Sequence, residues 1–143
     1  MINLDKYLKT NYKYFLENLE YKLLAPAVPG TVMQLECRDH LDASMASEDK
    51  IRVAFTRTLK FDPECVYKLT VTYGAVAEIN ELGLKEVDWN SINLSNEMRN
   101  GQCGLLDALV SRASMQISQI TSASGQAPMI TPPKIARTQN PTA

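Results

Sequence analysis

Three stretches of the chain alternate between apolar and polar side chains, and they set the architecture. From Thr31 to Ala43, Met33, Leu35, Cys37 and Leu41 point one way and Gln34, Glu36, Arg38, His40 and Asp42 the other. From Lys50 to Phe61, Ile51, Val53, Phe55, Leu59 and Phe61 oppose Arg52, Thr56, Thr58 and Lys60. The longest run, Cys65 to Asn80, sets Tyr67, Leu69, Val71, Tyr73, Ala75, Ala77 and Ile79 against Lys68, Thr70, Thr72 and Glu78. A period of two is the signature of a half-buried strand. Ser44–Asp49 and Asp62-Pro63-Glu64 read as the short turns between these strands. Such a series makes an antiparallel meander with one buried face. A shorter alternating run, Leu19–Leu24, ends at Ala25-Pro26-Ala27-Val28-Pro29-Gly30 and raises the count to about four strands. Gly74 inside the last strand predicts a bulge or the close approach of another backbone. The polar faces carry both charge signs and many threonines, which suits water or a second docked sheet.

The period changes to 3.6 in two places. Between Gly101 and Pro133, Leu105, Leu106, Leu109, Ala113, Ile117 and Ile120 recur at steps of three and four, which predicts a long helix starting at Gln102 or Gly104. Gly125 suits the left-handed position that ends helices, and Pro128 forbids continuation. The opposite helix face, including Ser111, Ser114, Met115, Ser118 and Gln119, is polar but nearly uncharged. A helix facing only water carries more Lys and Glu, so these five positions are expected to form a subunit seam. Near the start, Leu4, Leu8, Tyr12, Phe15 and Leu19 share a stripe opposite Asp5, Lys6, Lys9 and Lys13, which predicts an amphipathic helix over residues 3–17. A short helix is also expected from Ser91 to Arg99, with Ser91 as its N-cap.

Between the last strand and that short helix lies Glu81–Asn90, with no clean period. Its apolar residues stand on an irregular segment, where surface exposure is the rule. Leu82, Leu84, Val87 and Trp89 on this segment, with Ile92 and Leu94 beside it, are the candidate exposed apolar strip.

Composition narrows the function classes. The chain has 143 residues, enough for one domain with a proper core. A formal net charge of −1 lacks the clustered cation excess that nucleic-acid binding requires. No apolar run reaches the length of a membrane span, and the start MINLDKYLKT has neither a basic nor an apolar leader region. Cys37, Cys65 and Cys103 are odd in number and far apart, which reads as reduced thiols in a cytoplasmic protein.

Catalytic constellations are nearly absent. The single histidine, His40, is an odd step from Cys37 on one strand, so the two face opposite sides of the sheet. No phosphate-cradling glycine loop and no four-ligand zinc set can be assembled, so no metal, cofactor or covalent chemistry is expected. A hot-dog type enzyme would need a carboxylate or histidine near the start of the long helix, where Asp107 is the one candidate.

The pattern as a whole resembles the SecB family of export chaperones. The similarity sits in Leu105-Leu106-Asp107-Ala108-Leu109-Val110-Ser111-Arg112-Ala113-Ser114-Met115-Gln116-Ile117-Ser118-Gln119-Ile120-Thr121 and its exit Gly125-Gln126-Ala127-Pro128-Met129-Ile130-Thr131-Pro132-Pro133. Tyr21-Lys22-Leu23-Leu24-Ala25-Pro26 looks like the first family strand, and the run Cys65 to Val76 like the third. The chain departs from the family at Gly104-Leu105-Leu106-Asp107, where an aromatic-proline-tyrosine run is absent. It departs again at Lys134-Ile135, which replaces the Asn-Phe and acidic zinc-binding tail of the proteobacterial proteins.

The resemblance covers residues 19–135 and implies one α+β domain there. The amphipathic helix read at the start is extra to it, an N-terminal helical extension at 1–18. The tail at 136–143, with little to bury, is expected to be disordered. The resemblance further implies an antiparallel sheet with the long C-terminal helix packed on one face, and a homo-oligomer, dimer or tetramer. It also implies a holdase that binds unfolded or pre-secretory polypeptide in extended form along apolar grooves, for which Leu82, Leu84, Val87, Trp89, Ile92 and Leu94 are the expected client-binding strip. Such a holdase would serve either the export machinery or a dedicated client such as a toxin–antitoxin partner. The competing expectation is a non-catalytic structural or assembly protein that uses the same fold only to oligomerise.

Overall fold

The computed structural model describes residues 2–101 and 103–135. The expected disordered tail at 136–143 lies outside the described residues. Four strands form one antiparallel sheet: β1 (Lys13–Leu23), β2 (Gln34–Ser47), β3 (Lys50–Asp62) and β4 (Tyr67–Glu78), in the order β1-β4-β3-β2. β2, β3 and β4 are the meander expected from the alternation. β1 closes the sheet on the far side of β4, so β1 and β2 are its edges.

The expected helix over residues 3–17 is corrected. Helix α1 covers only Leu4–Tyr7, and residues 13–23 are strand. The register explains the misleading spacing. Tyr14 and Leu16 lie opposite Ala75 and Tyr73, a bulge intervenes between Leu16 and Asn18, and Leu19 and Tyr21 then lie opposite Val71 and Leu69. Residues directly opposite share a face. The bulge therefore moves the core-facing positions from even to odd numbers. Of the misleading stripe, Leu19 shares the core-facing side with Val71 whereas Phe15 lies opposite Gly74 on the other face, so apolar residues from both faces of a strand fell by chance at helical spacing. The segment 1–18 is no appendage either: Leu4 and Leu8 are buried in the core, and Lys9 N donates to Glu78 O at 2.8 Å.

The core lies on the odd-numbered face of β3 and β4, where Ile51, Val53, Phe55, Leu59, Leu69, Val71 and Ala75 are fully buried. Helix α4 (Gly104–Ala123) covers this face with Leu105, Leu109, Val110, Ala113 and Ile117. It ends where Gly125 takes φ +87°, the left-handed conformation that favours glycine. The long helix on one face of a four-strand sheet is the α+β arrangement expected. The other face is polar, with Thr56 and Thr72 paired across the strands at 2.8 Å. Gly74 on that face is approached by a side chain and not by backbone. A Cβ there would fall 2.3 Å from Phe15 Cε2, so the absent side chain makes room for the ring.

The crossover holds more helix than its aperiodic sequence suggests. Helix α2 (Glu81–Glu86) is capped by Asn80, which accepts from Gly83 N at 2.8 Å. Helix α3 (Leu94–Asn100) starts three residues later than expected. Its cap is Asn93 and not Ser91, because the Asn93 side chain accepts from Asn96 N at 3.1 Å. Ser91 Oγ instead donates to Asp88 O at 2.8 Å in the preceding turn.

Candidate functional site

The crossover packs against the far end of edge strand β2 and leaves clefts between them. One, of about 500 Å³, is lined by Ala43, Met45, Trp89, Ile92 and Leu94 among others. A neighbouring one, of about 480 Å³, adds Leu84 and Val87 and shares Met45 and Trp89. Ala43 N, on the free edge of β2, donates to Ser95 Oγ at 3.0 Å, so α3 covers the edge at that point.

The six apolar positions expected to bind an extended chain divide by burial. Leu82 and Leu84 are exposed and Val87 and Ile92 half-buried. Trp89 and Leu94 belong to the core, and Trp89 Nε1 donates to Gly83 O at 3.1 Å. An indole with its one donor satisfied inside the domain serves as floor, not as an exposed contact. Met45, which the strand pattern did not single out, joins the surface set.

Beside the clefts lies a polar constellation that sequence reasoning missed. Arg57 on β3 is fully buried and stands directly opposite Asp39 on β2. Its Nε and Nη2 donate to the two Asp39 oxygens at 2.7 and 2.8 Å, a bidentate fork. Burial works against the guanidinium charge, but the hydrogen bond and charge of Asp39 outweigh it and raise the Arg57 pKa. The remaining donors turn to the segment after α4. Nη1 reaches Thr131 Oγ1 at 2.9 Å, Pro132 O at 2.7 Å and Ser114 Oγ at 3.0 Å, and Nη2 reaches Lys134 O at 3.1 Å. A signal did exist. Residues 39 and 57 occupy core-facing positions of neighbouring strands, so two opposite charges interrupt two apolar faces at one point.

That exit segment is a strap running antiparallel to α4. Met129 N donates to Thr121 Oγ1 at 2.9 Å, Thr131 Oγ1 to Ser114 Oγ at 2.9 Å, and Lys134 Nζ pairs with Asp107 Oδ2 at 2.9 Å. The helix partners 121, 114 and 107 are seven residues apart, about 10.5 Å per step along the axis.

The faces of α4 are thereby assigned. The flank carrying Asp107, Ser114 and Thr121 meets the strap, so Ser114 is engaged within the chain and is removed from the expected subunit seam. Arg112 and Gln116 look toward the sheet. Arg112 lies 4.0 Å over the Tyr14 ring, and Tyr73 OH donates to Gln116 at 3.4 Å. Ser111, Met115 and Gln119 remain exposed and Ser118 half-buried, forming one open stripe. Asp107, the position a hot-dog type reaction would need, is spent on an exposed ion pair with Lys134.

Among the described residues no group of three His, Cys, Asp or Glu side chains could hold a metal ion, and His40 is exposed. All three cysteines are free, with Cys65 and Cys103 buried and Cys37 half-buried. Burial pushes the Cys37 and Cys103 thiols up. No helix of the described residues is long and apolar enough to cross a membrane.

A one-faced antiparallel sheet in the order β1-β4-β3-β2, a helical crossover and a long covering helix define a SecB-like fold. The chain is similar to a solved structure of a Mycobacterium tuberculosis SecB-like chaperone in complex with a ChAD peptide from the HigA1 antitoxin. The TM-score is 0.67 at 10% sequence identity, over 90% of this chain and 92% of that one. No protein-family model and no curated protein matches the sequence.

Proposed function

We propose that this chain is a SecB-like molecular chaperone, a cytoplasmic holdase that binds unfolded or pre-secretory polypeptide in extended form. The observation that carries the reading is the SecB-like fold with a cleft beside edge strand β2 whose lining mixes apolar side chains with Ser and Asn. Leu82, Leu84, Val87 and Ile92, with Met45, supply apolar contact. The edge strand supplies unpaired backbone groups to an incoming strand. Such contacts are weak, numerous and indifferent to sequence, which suits a holdase without a catalytic constellation. The similar chaperone was solved with an antitoxin peptide, which supports a dedicated client of that kind as readily as the export machinery.

The same reading makes the chain a homo-oligomer, dimer or tetramer, with the open α4 stripe of Ser111, Met115, Ser118 and Gln119 as its seam. A partner helix would meet their hydrogen bonds while excluding water. Stoichiometric suppression of the aggregation of a denatured protein is the expected behaviour. Absence of suppression together with a monomeric mass in light scattering would sink the reading. A stable oligomer that captures a folded partner but no unfolded peptide would mean an assembly protein instead. Ser118→Glu is expected to lower the mass in solution, and an unchanged oligomer would place the seam elsewhere.

A further inference from the structure

Residues 2–8 line neither crossover cleft, yet they hold the three helices that follow the sheet. Ile2 N donates to Glu97 Oε2 on α3 at 2.9 Å, and Asp5 Oδ1 accepts from Gly104 N at the start of α4 at 2.8 Å. α2 is held through Asn80, whose backbone N donates to Tyr7 O at 2.9 Å. The Asn80 side chain grips in two directions: Nδ2 donates to Lys6 O at 2.8 Å, and Oδ1 caps α2 by accepting from Gly83 N. Leu4 and Leu8, buried in the core, anchor the segment between these contacts.

α2 has six residues, too few to be stable alone, so its setting is decided by what it packs on. Gly83 is its buried residue, and a Cβ there would stand 2.9 Å from Tyr7 O and 2.7 Å from Ile79 Cγ2. Neighbouring residues of a helix point about 100° apart. With Gly83 turned inward against the segment, Leu82 and Leu84 on either side of it are left 40% and 47% exposed. Gly83 O also accepts from Trp89 Nε1, so the floor of both clefts hangs on the same contact.

We propose that residues 2–8 are a positioning element for client binding: docked on Gly83 and gripped by Asn80, they turn α2 so that Leu82 and Leu84 face the client. This rests on the holdase reading and adds residues that act through α2 without touching the client. Without the grip, α2 rolls and buries its leucines, and the client loses that apolar surface.

Asn80 is the position at which capping and gripping separate. Aspartate caps a helix as well as asparagine does, but it cannot donate to the Lys6 carbonyl. The test compares the full native chain with Asn80→Asp, using fluorescently labelled, reduced and carboxymethylated ribonuclease A as the unfolded probe. Loss of one hydrogen bond should weaken probe binding about fivefold while a cooperative unfolding transition is retained. Trp89, the single tryptophan of the chain, should shift its emission to the red. Leu84→Asp weakens binding at the contact itself, so in the double variant the two losses should overlap and not add. Unchanged binding or unchanged emission in Asn80→Asp, or additive losses in the double variant, overturns the positioning role. Gly83→Ala, which meets Tyr7 O directly, carries the same comparison if Asn80→Asp does not unfold cooperatively. A native chain that binds no probe rejects the holdase and the positioning role together. Native binding that Asn80→Asp leaves intact rejects the positioning role alone.

Discussion

Arg57 and Asp39 lie opposite each other on β3 and β2, both side chains fully buried, with the guanidinium forked onto the carboxylate at 2.7 and 2.8 Å. Removing one partner leaves the other charged in a dry site. Arg57→Leu or Asp39→Leu alone is therefore expected to cost about 3–5 kcal/mol in denaturant unfolding. The double variant should recover a large part of that loss, because no unpaired charge remains. Additive losses in the double variant would show that the pair is not coupled.

The N-terminal segment is expected to behave as core. Leu4 is fully buried, and the Asp5 carboxylate accepts from Gly104 N at 2.8 Å, supplying α4 with a cap that Cys103 does not provide. Leu4→Ala should cost about 2–5 kcal/mol and Asp5→Ala about 1 kcal/mol. Unchanged denaturation midpoints for both would return this segment to the status of an appendage.

Phe15 and Gly74 form a cross-strand pair in which the ring occupies the space of a missing side chain. Gly74→Ala should destabilise by about 1–3 kcal/mol, as overpacking does. In a Phe15→Ala background the same change should turn neutral or stabilising, because alanine suits a strand better than glycine once the space is open. A penalty that persists without the ring would point to the backbone as the obstacle.

Trp89 and Leu84 line the same cleft but differ in burial, and should respond differently. Trp89→Ala removes a 7% exposed indole and is expected to cost about 3–5 kcal/mol, with client holding lost through unfolding. Leu84→Asp, at a side chain 47% exposed, should leave the melting temperature within the scatter of surface changes while reducing the amount of client held. Full holding by Leu84→Asp would remove the crossover cleft from the client path.

The alternation of β2, β3 and β4 and the 3.6 period of α4 were readable from the sequence because each element buries one face, and burial writes its own period into the chain. The stop at Gly125 and the α+β arrangement followed from the same source. The bulge after Leu16 was not readable, since it depends on pairing with β4, and apolar residues on both faces of β1, Phe15 and Leu19 among them, made a strand look like a helix. Trp89 and Leu94 looked like surface residues on an irregular loop until α2 and α3 folded them inward. The Arg57–Asp39 pair left a trace as two charges on apolar phases, but only the register of β2 on β3 brings them together. Ser114 shows the division most clearly: its polar, uncharged helix face was evident along the chain, yet what covers it is a strap fifteen to twenty residues away in sequence. Local period depends on a residue and its neighbours, and so the sequence alone determined it. Which surface meets a given face depends on long-range closure of the chain, and the tertiary structure decided that.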